Sequence, residues 1–427
     1  MRTHLLVVVA ATLLVLGCRA GEPEVQPVKA ELFKARGGMN NIFAKIAAGQ
    51  ANIAYFGGSI TAASGWRVNT FKWFKDTYPQ TKFTEINATI GGTGSDLGVF
   101  RFQQDVLRHK PDMIFVEFAV NDNGGGAQQV YRSMEGIVRQ AWASDPNIDL
   151  FFVYTLHTCM RPEFEKGICP RAMSVHDYIA EHYGIPAVNV ALKIVDLAKD
   201  GKVIYKAEKD AEGKDKPLPE GAILFSNDEC HPTPKAHEVY TELVIDCIKK
   251  MAPNAKPAPH ELKTAINPDN WEKAKLVPLT TPMVTPGWKK LEPTANLAKA
   301  FGSRLPEIWE ATKPGEKITF KFKGSRASLY DLVGPDGGQA IVTVDGKAGK
   351  PVPRFDRYCT YHRLASLFLA DNLPNEVHTV TVEIHPDQPN RSSVVDIEKT
   401  KPKFDPKRYD GTAMRVGSIM VLGDVVE

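Results

Sequence analysis

The sequence is short of charge asymmetry, of paired cysteines and of long apolar runs, and each shortage removes a class of function. Lys and Arg total 53 against 50 for Asp and Glu. With no dense Lys/Arg run and no interleaved aromatics, nothing supports a nucleic-acid partner. No CxxC and no paired Cys/His spacing suggests zinc. His237-Glu238 lacks the second histidine of a zinc-binding helix, and His157, His176 and His182 lack metal spacing as well. No metal or cofactor is therefore expected. There is no internal repeat and no long low-complexity segment, which sets aside repeat architectures. The one marked apolar run, Leu5 to Leu16, is too short for a comfortable membrane span.

What is there fits an ordinary globular chain. A length of 427 residues predicts two or three domains, and 43% hydrophobic with 24% charged residues is enough to bury full cores. Arg2 and His4 precede the apolar run, which ends in Val15-Leu16-Gly17-Cys18. This reads as a secretory signal over residues 1–18. The last four residues also resemble a bacterial lipobox, which implies a lipid on Cys18 and contact with a membrane through that anchor alone. Of the six cysteines, Cys159 and Cys169 bracket a short proline-containing segment. That fits either a disulfide stapling a loop or two free thiols in a partly buried loop, export permitting the first.

Strand-like and helix-like segments alternate from residue 40 to 251. Ile53 to Phe56 is an apolar strand that breaks at Gly57-Gly58-Ser59. Lys82 to Ile86 runs into a loop containing Gly91-Gly92. Asp96 is placed to cap the helix that follows. Met113 to Val120 is apolar except at Glu117 and ends at Asn121-Asp122, and Leu150 to Leu156 is another apolar strand. Continuous apolar runs suit strands buried on both faces of a parallel sheet, and the alternation predicts a doubly wound α/β domain. Lys199 to Glu220 reads as a charged surface excursion. Thr233-Pro234 makes a cap and first turn for a long helix. Residues 253–275 look like a linker. Beyond them, short β-like runs such as Ile318–Phe322, Ala327–Leu332 and Val377–Ile384 predict an all-β sandwich, jelly-roll-like in texture.

Ser59 follows a strand on a glycine turn, where an exposed hydroxyl can act as nucleophile. A serine nucleophile needs a base, and the base needs an orienting acid. Asp228-x-x-His231 can supply both, although from that motif alone a helix-entry cap and a plain loop histidine are the simpler reading. Oxyanion donors are offered by the Ser59 N–H, a backbone N–H of Gly91-Gly92 and the Asn121 amide. Each piece is weak alone, and all lie just past strand ends on one edge of one sheet.

Together these blocks resemble the SGNH hydrolase superfamily of GDSL-type esterases. Gly57-Gly58-Ser59-Ile60-Thr61 is similar to the nucleophile block, Asn87 to Gly92 to the glycine block, Ala119-Val120-Asn121-Asp122 to the asparagine block, and Asp228 to Pro232 to the acid–base block. Gly58 stands where the family often has Asp, and Ala119 where it often has Gly. The G-x-S-x-G elbow of other hydrolases is not met, because Thr61 occupies its last position. The resemblance implies a flavodoxin-like three-layer α/β/α sandwich over residues 30–252 and metal-independent ester hydrolysis. Ser59, His231 and Asp228 would form the catalytic set, with an oxyanion hole of Ser59, Gly92 and Asn121. Residues 276–427 would be an accessory domain. By analogy with exported relatives that carry an appended β-sandwich, the expected substrate is a short O-acyl ester on carbohydrate. A lipase, an arylesterase, an acyltransferase on the same residues, and a non-catalytic glycan-binding surface lipoprotein are the alternatives. Tyr358, Tyr361, His362 and Arg363 form a polar-aromatic cluster that reads as a sugar contact or, more simply, as a sheet edge or domain interface.

Overall fold

The structure is a computed structural model that describes residues 25–427. The N-terminal stretch through Cys18, with its expected export signal and lipid site, lies outside the described residues. Among the described residues no helix is long and apolar enough to cross a membrane.

The first domain is built on a six-stranded sheet of β1 (Phe33–Lys34), β2 (Gln50–Gly57), β3 (Lys82–Asn87), β4 (Met113–Glu117), β5 (Asp149–Tyr154) and β6 (Ala187–Asn189), in the order β1-β6-β5-β4-β2-β3. β2 to β6 run parallel, and β1 closes one edge antiparallel to β6. Every residue of β4 and β5 is buried, because helices cover both faces. Helices Ser95–Asp105, Ala127–Ser144 and Arg171–Tyr183 pack in one layer, and Trp66–Thr77, Val190–Lys199 and Pro234–Met251 in another. This is the expected three-layer α/β/α sandwich. The strand order reverses between β2 and β4, and the crevice beyond their carboxyl ends is where such sheets bind ligands.

The second domain is a large antiparallel sheet organised around one strand, Lys317–Val333. Two runs that look separate in sequence are this single strand. Its register shifts between Gly324 and Arg326, where the backbone meets Leu422 and Gly423 too closely for a side chain at 324. The first half pairs with Glu376–Ile384, the second with Arg363–Ala370, and Met414–Val426 runs along the other side. In the first half Ile318, Phe320 and Phe322 are buried while Thr319, Lys321 and Lys323 are exposed. The second half is buried on both faces, since Ala327 and Leu329 enter the sheet's own core while Tyr330 and Leu332 join the core of the first domain.

Two expectations are corrected and one open alternative is decided. The segment taken for a linker is a strap bound to the first domain. His260 stacks on Trp142 at 4.8 Å and bonds Asp149 at 2.8 Å, and Trp271 is 1% exposed. The Glu135 carboxylate accepts the N–H groups of Ile266 and Asn267 at 2.6 and 2.9 Å. The segment's polar composition hides this, because most of its anchors are bonds to buried acids and Trp271 alone carries a large side chain into the core. Cys159 and Cys169 form no disulfide, and both thiols are free. Cys159 is exposed on a turn, and Cys169 is buried beyond the helix Arg161–Glu165, where its Sγ faces Asn189. Asp96 does not cap its helix. Gly94 is the cap residue, and Asp122 reaches in from another element to accept the Ser95 N–H at 2.8 Å.

Candidate active site

β2 ends at Gly57, and Gly58 leads into a single helical turn, Ser59–Ala62. The turn is fixed by its neighbours. The Gly58 N–H donates to the Glu117 carbonyl, and the Thr61 hydroxyl donates to the Glu117 carboxylate at 2.7 Å. Ser59 is thereby presented at the sheet edge, half-buried, with its Oγ 2.8 Å from His231 Nε2.

His231 lies on the loop before helix Pro234–Met251. Thr233 caps that helix by accepting the Ala236 N–H at 3.3 Å and donates its own hydroxyl to Leu224 at 2.6 Å. Asp228 binds the loop twice over. One oxygen accepts from the Ser226 hydroxyl at 2.9 Å and from the N–H groups of Cys230 and His231 at 3.1 and 2.8 Å. The other meets His231 Nδ1 at 2.6 Å. Burial acts against ionisation of Asp228, but these donors, His231 first, outweigh it and hold the carboxyl well below the usual carboxylate range. Between the two residues Glu229 adopts φ 71°, a left-handed conformation that is strained for a residue with a side chain. Its carbonyl accepts the Thr158 N–H at 2.9 Å, which anchors the loop to the segment after β5.

The glycine loop comes in from β3. The Ile90 N–H donates to the Gly57 carbonyl at 3.0 Å, and a Cβ added at Gly91 would stand 3.4 Å from the Ser59 Cβ. Gly92 has φ +73°, which favours glycine. Asn121 sits on the short helix Ala119–Asp122 at the end of β4, and a Cβ at Gly58 would run into its amide. Glycine at 58 is thus what lets Asn121 approach the serine turn. The structure brings Ser59, His231 and Asp228 into one hydrogen-bonded line, with the Gly91-Gly92 loop and Asn121 beside it. Such an arrangement can move the serine proton to Nε2 and present donors to an anionic oxygen.

Two cavities adjoin this edge. One of about 220 Å³ is lined by Gly92, Asp96, Asn121, Asp122 and Gln129. The other, about 290 Å³, lies between the domains, with Gly92, Thr93 and Asp96 on one wall and Arg354, Phe355, Asp356 and Arg363 on the other. The aromatic cluster divides accordingly. Arg363 pairs with Asp356 at this wall, His362 turns to Asp336 at 3.2 Å, and Tyr358 and Tyr361 are exposed.

Sequence reasoning missed a polar layer beneath the site. Glu117, 1% exposed, accepts from Thr61 and, at 2.8 Å, from Thr155. Burial pushes its carboxyl up to about 7, offset in part by the two hydroxyls and the Gly58 N–H, while Asp122 adds to the rise. Asp122 is buried against His176 at 2.8 Å. His237 accepts the Trp66 N–H at 3.3 Å and is pushed down to about 4 by burial and by His231. Glu117 had a visible signal, as the one charge in a central apolar run. Among the described residues no group of three or more His, Cys, Asp or Glu side chains is placed to hold a metal ion.

The fold and the placement of these blocks define the class, an SGNH-type carboxylic ester hydrolase carrying a second, β-sheet domain. Residues 55–239 match the GDSL-like lipase/acylhydrolase family. A solved two-domain esterase (CEX) active on acetylated mannans, known alone and co-crystallised with mannopentaose, is 22% identical, with a TM-score of 0.68 over 90% of this chain and 94% of that one. That likeness shows the shared two-domain fold. An acetylxylan esterase from Geobacillus stearothermophilus matches 46% of this chain and 94% of its own at 15% identity, with a TM-score of 0.37. No curated protein matches the chain.

Proposed function

We propose that this protein is a serine carbohydrate esterase that removes short acyl groups, acetyl first among them, from a polysaccharide. The observation that carries the proposal is the line Ser59–His231–Asp228, with contacts of 2.8 and 2.6 Å. In this mechanism Ser59 Oγ attacks the ester carbonyl while His231 Nε2 takes its proton, and Asp228 holds the imidazole by Nδ1. The Ser59 and Gly92 N–H groups and the Asn121 amide receive the negative oxygen, each such donor typically lowering the barrier by about 2.7–4 kcal/mol. His231 returns the proton to the departing sugar hydroxyl. Water, deprotonated by the same histidine, then releases the acid and restores the serine.

Acetylated mannan is the first substrate to try, because the two-domain neighbour acts on acetylated mannans. Export and lipid attachment at Cys18 belong to the same proposal, since a polysaccharide is met outside the cell. Loss of palmitate incorporation in C18A tests that part. The main test is labelling with a fluorophosphonate probe, alongside acetate release from acetylated mannan, acetylated xylan and p-nitrophenyl acetate. The expected result is labelling of the wild type, none of S59A, and acetate released from at least one polysaccharide. A wild type that resists the probe and releases no acetate from any ester overturns the proposal in favour of a glycan-binding protein.

A further inference from the structure

Burying a carboxylate at the end of a central strand is costly unless its hydrogen bonds are satisfied. An apolar side chain or an amide at position 117 would avoid that cost, so the contacts made by Glu117 call for an account. Its main-chain oxygen accepts from Gly58 N–H, just before Ser59, and its Oε2 accepts from the Thr61 hydroxyl, just after it. Ser59 is therefore gripped on both sides by one residue of the neighbouring strand. The space is fully used, since a Cβ at Gly57 would stand 2.6 Å from the Glu117 carbonyl oxygen and 3.1 Å from Thr61 Oγ1.

The second carboxylate oxygen points the other way. Oε1 accepts from Thr155 at the end of β5. From there the chain runs through Leu156, whose N–H donates to the Tyr240 hydroxyl at 3.2 Å, to Thr158, whose N–H holds the Glu229 carbonyl between Asp228 and His231. The nucleophile turn and the histidine loop thus hang from opposite oxygens of one planar carboxylate. Thr61 also gains a purpose here. It replaces the last glycine of the common hydrolase elbow, and a glycine there would offer no hydroxyl.

We propose that Glu117 is a positioning residue that sets the separation of Ser59 from His231 by tying Thr61 to Thr155. This rests on the esterase reading above. It gives Glu117 no contact with substrate; it acts through the two residues that have one. The titratable groups near enough to interact with its charge are Asp122 on the adjoining short helix, Cys230 on the histidine loop and Tyr240 on helix Pro234–Met251.

The test is kcat and KM on p-nitrophenyl acetate, with the rate of fluorophosphonate labelling, for E117A, E117Q, T61V and T155V in the full chain. A displaced nucleophile lowers kcat on the order of 10²-fold, so E117A should show that loss in kcat and in labelling rate with KM little changed. E117Q, which can still accept from one hydroxyl and donate to the other, should recover most of it. A folded E117A with wild-type kcat, or with a change confined to KM, overturns the inference. If E117A does not fold, T61V and T155V decide: lowered kcat in both supports it, and wild-type kcat in both overturns it. S59A separates the two levels. Wild type labelled, S59A unlabelled and the Glu117 and threonine variants labelled at the wild-type rate removes the positioning role alone. A wild type that is never labelled removes the esterase reading and this inference with it.

Discussion

Asp228 holds His231 at 2.6 Å with side chains 56% and 47% exposed, whereas Asp122 holds His176 at 2.8 Å with side chains 3% and 2% exposed. The chemical pair is the same, and the surroundings assign it different work. An exposed pair is screened by water and contributes little to stability. What Asp228 gives His231 is orientation, at a place where a proton can come and go. The buried pair has no such traffic. Asp122 also accepts the Ser95 N–H, so it ties one helix N-terminus to another helix and braces the strand end that carries Asn121. Neighbours in sequence therefore belong to different layers: Asn121 to the exposed edge, Asp122 to the packing under it.

The sharpest way to break this comparison is to remove each histidine partner in turn. H231A should lower kcat by about 10⁶-fold, as loss of a base does in a serine hydrolase, with its urea midpoint close to wild type. A large loss of stability in H231A would put the exposed pair in the same category as the buried one. N121A, one step from the nucleophile, should lower kcat by about 10²–10³-fold, again with little change in the melt; steady-state kinetics and thermal scans on one preparation check both. D122A should do the reverse. Leaving His176 and the Ser95 N–H unpaired in the interior should cost about 3 kcal/mol in urea denaturation, and a D122A as stable as wild type would sink the bracing role.

The smallest effect concerns Glu117 and depends on pH. Burial raises its carboxyl from the ordinary 4.5 to about 7 in the folded chain. Between those values the folded state holds a proton that the unfolded state has released, so stability falls as pH rises through the window. E117Q has no proton to lose. Relative to wild type it should gain roughly 2–3 kcal/mol between pH 5 and pH 8, read as a Tm difference that moves in favour of the variant. A difference independent of pH would show that Glu117 does not titrate in this range.

The exposed edge was more legible in the sequence than the layer beneath it, for a physical reason. Glycine turns, Asn-Asp and Asp-x-x-His are local signals, and their chemistry is restricted to few residue types. The buried layer joins Glu117 to Thr61 and Thr155, 56 and 38 residues away, and Asp122 to His176, 54 away. Thr61 and Thr155 are unremarkable in a sequence, and nothing local pairs them. The alternation of strand and helix carried the fold of the first domain. The strap at 253–275 was misread because bonds to Asp149 and Glu135 leave no apolar pattern. Of the two readings of Asp228, the helix-entry cap falls to Thr233, while Asp228 itself serves loop N–H groups with one oxygen and meets the imidazole with the other.

The shared core has a consequence for how the first domain is completed. Tyr330, Leu332, Leu364 and Met420 all lie in the apolar cluster of the first domain. Met420 belongs to Met414–Val426, the last strand of the chain. The apolar cluster of the first domain is therefore complete only when Met414–Val426, far along the chain from the site, is in place. The second domain is in this sense the keystone of the first.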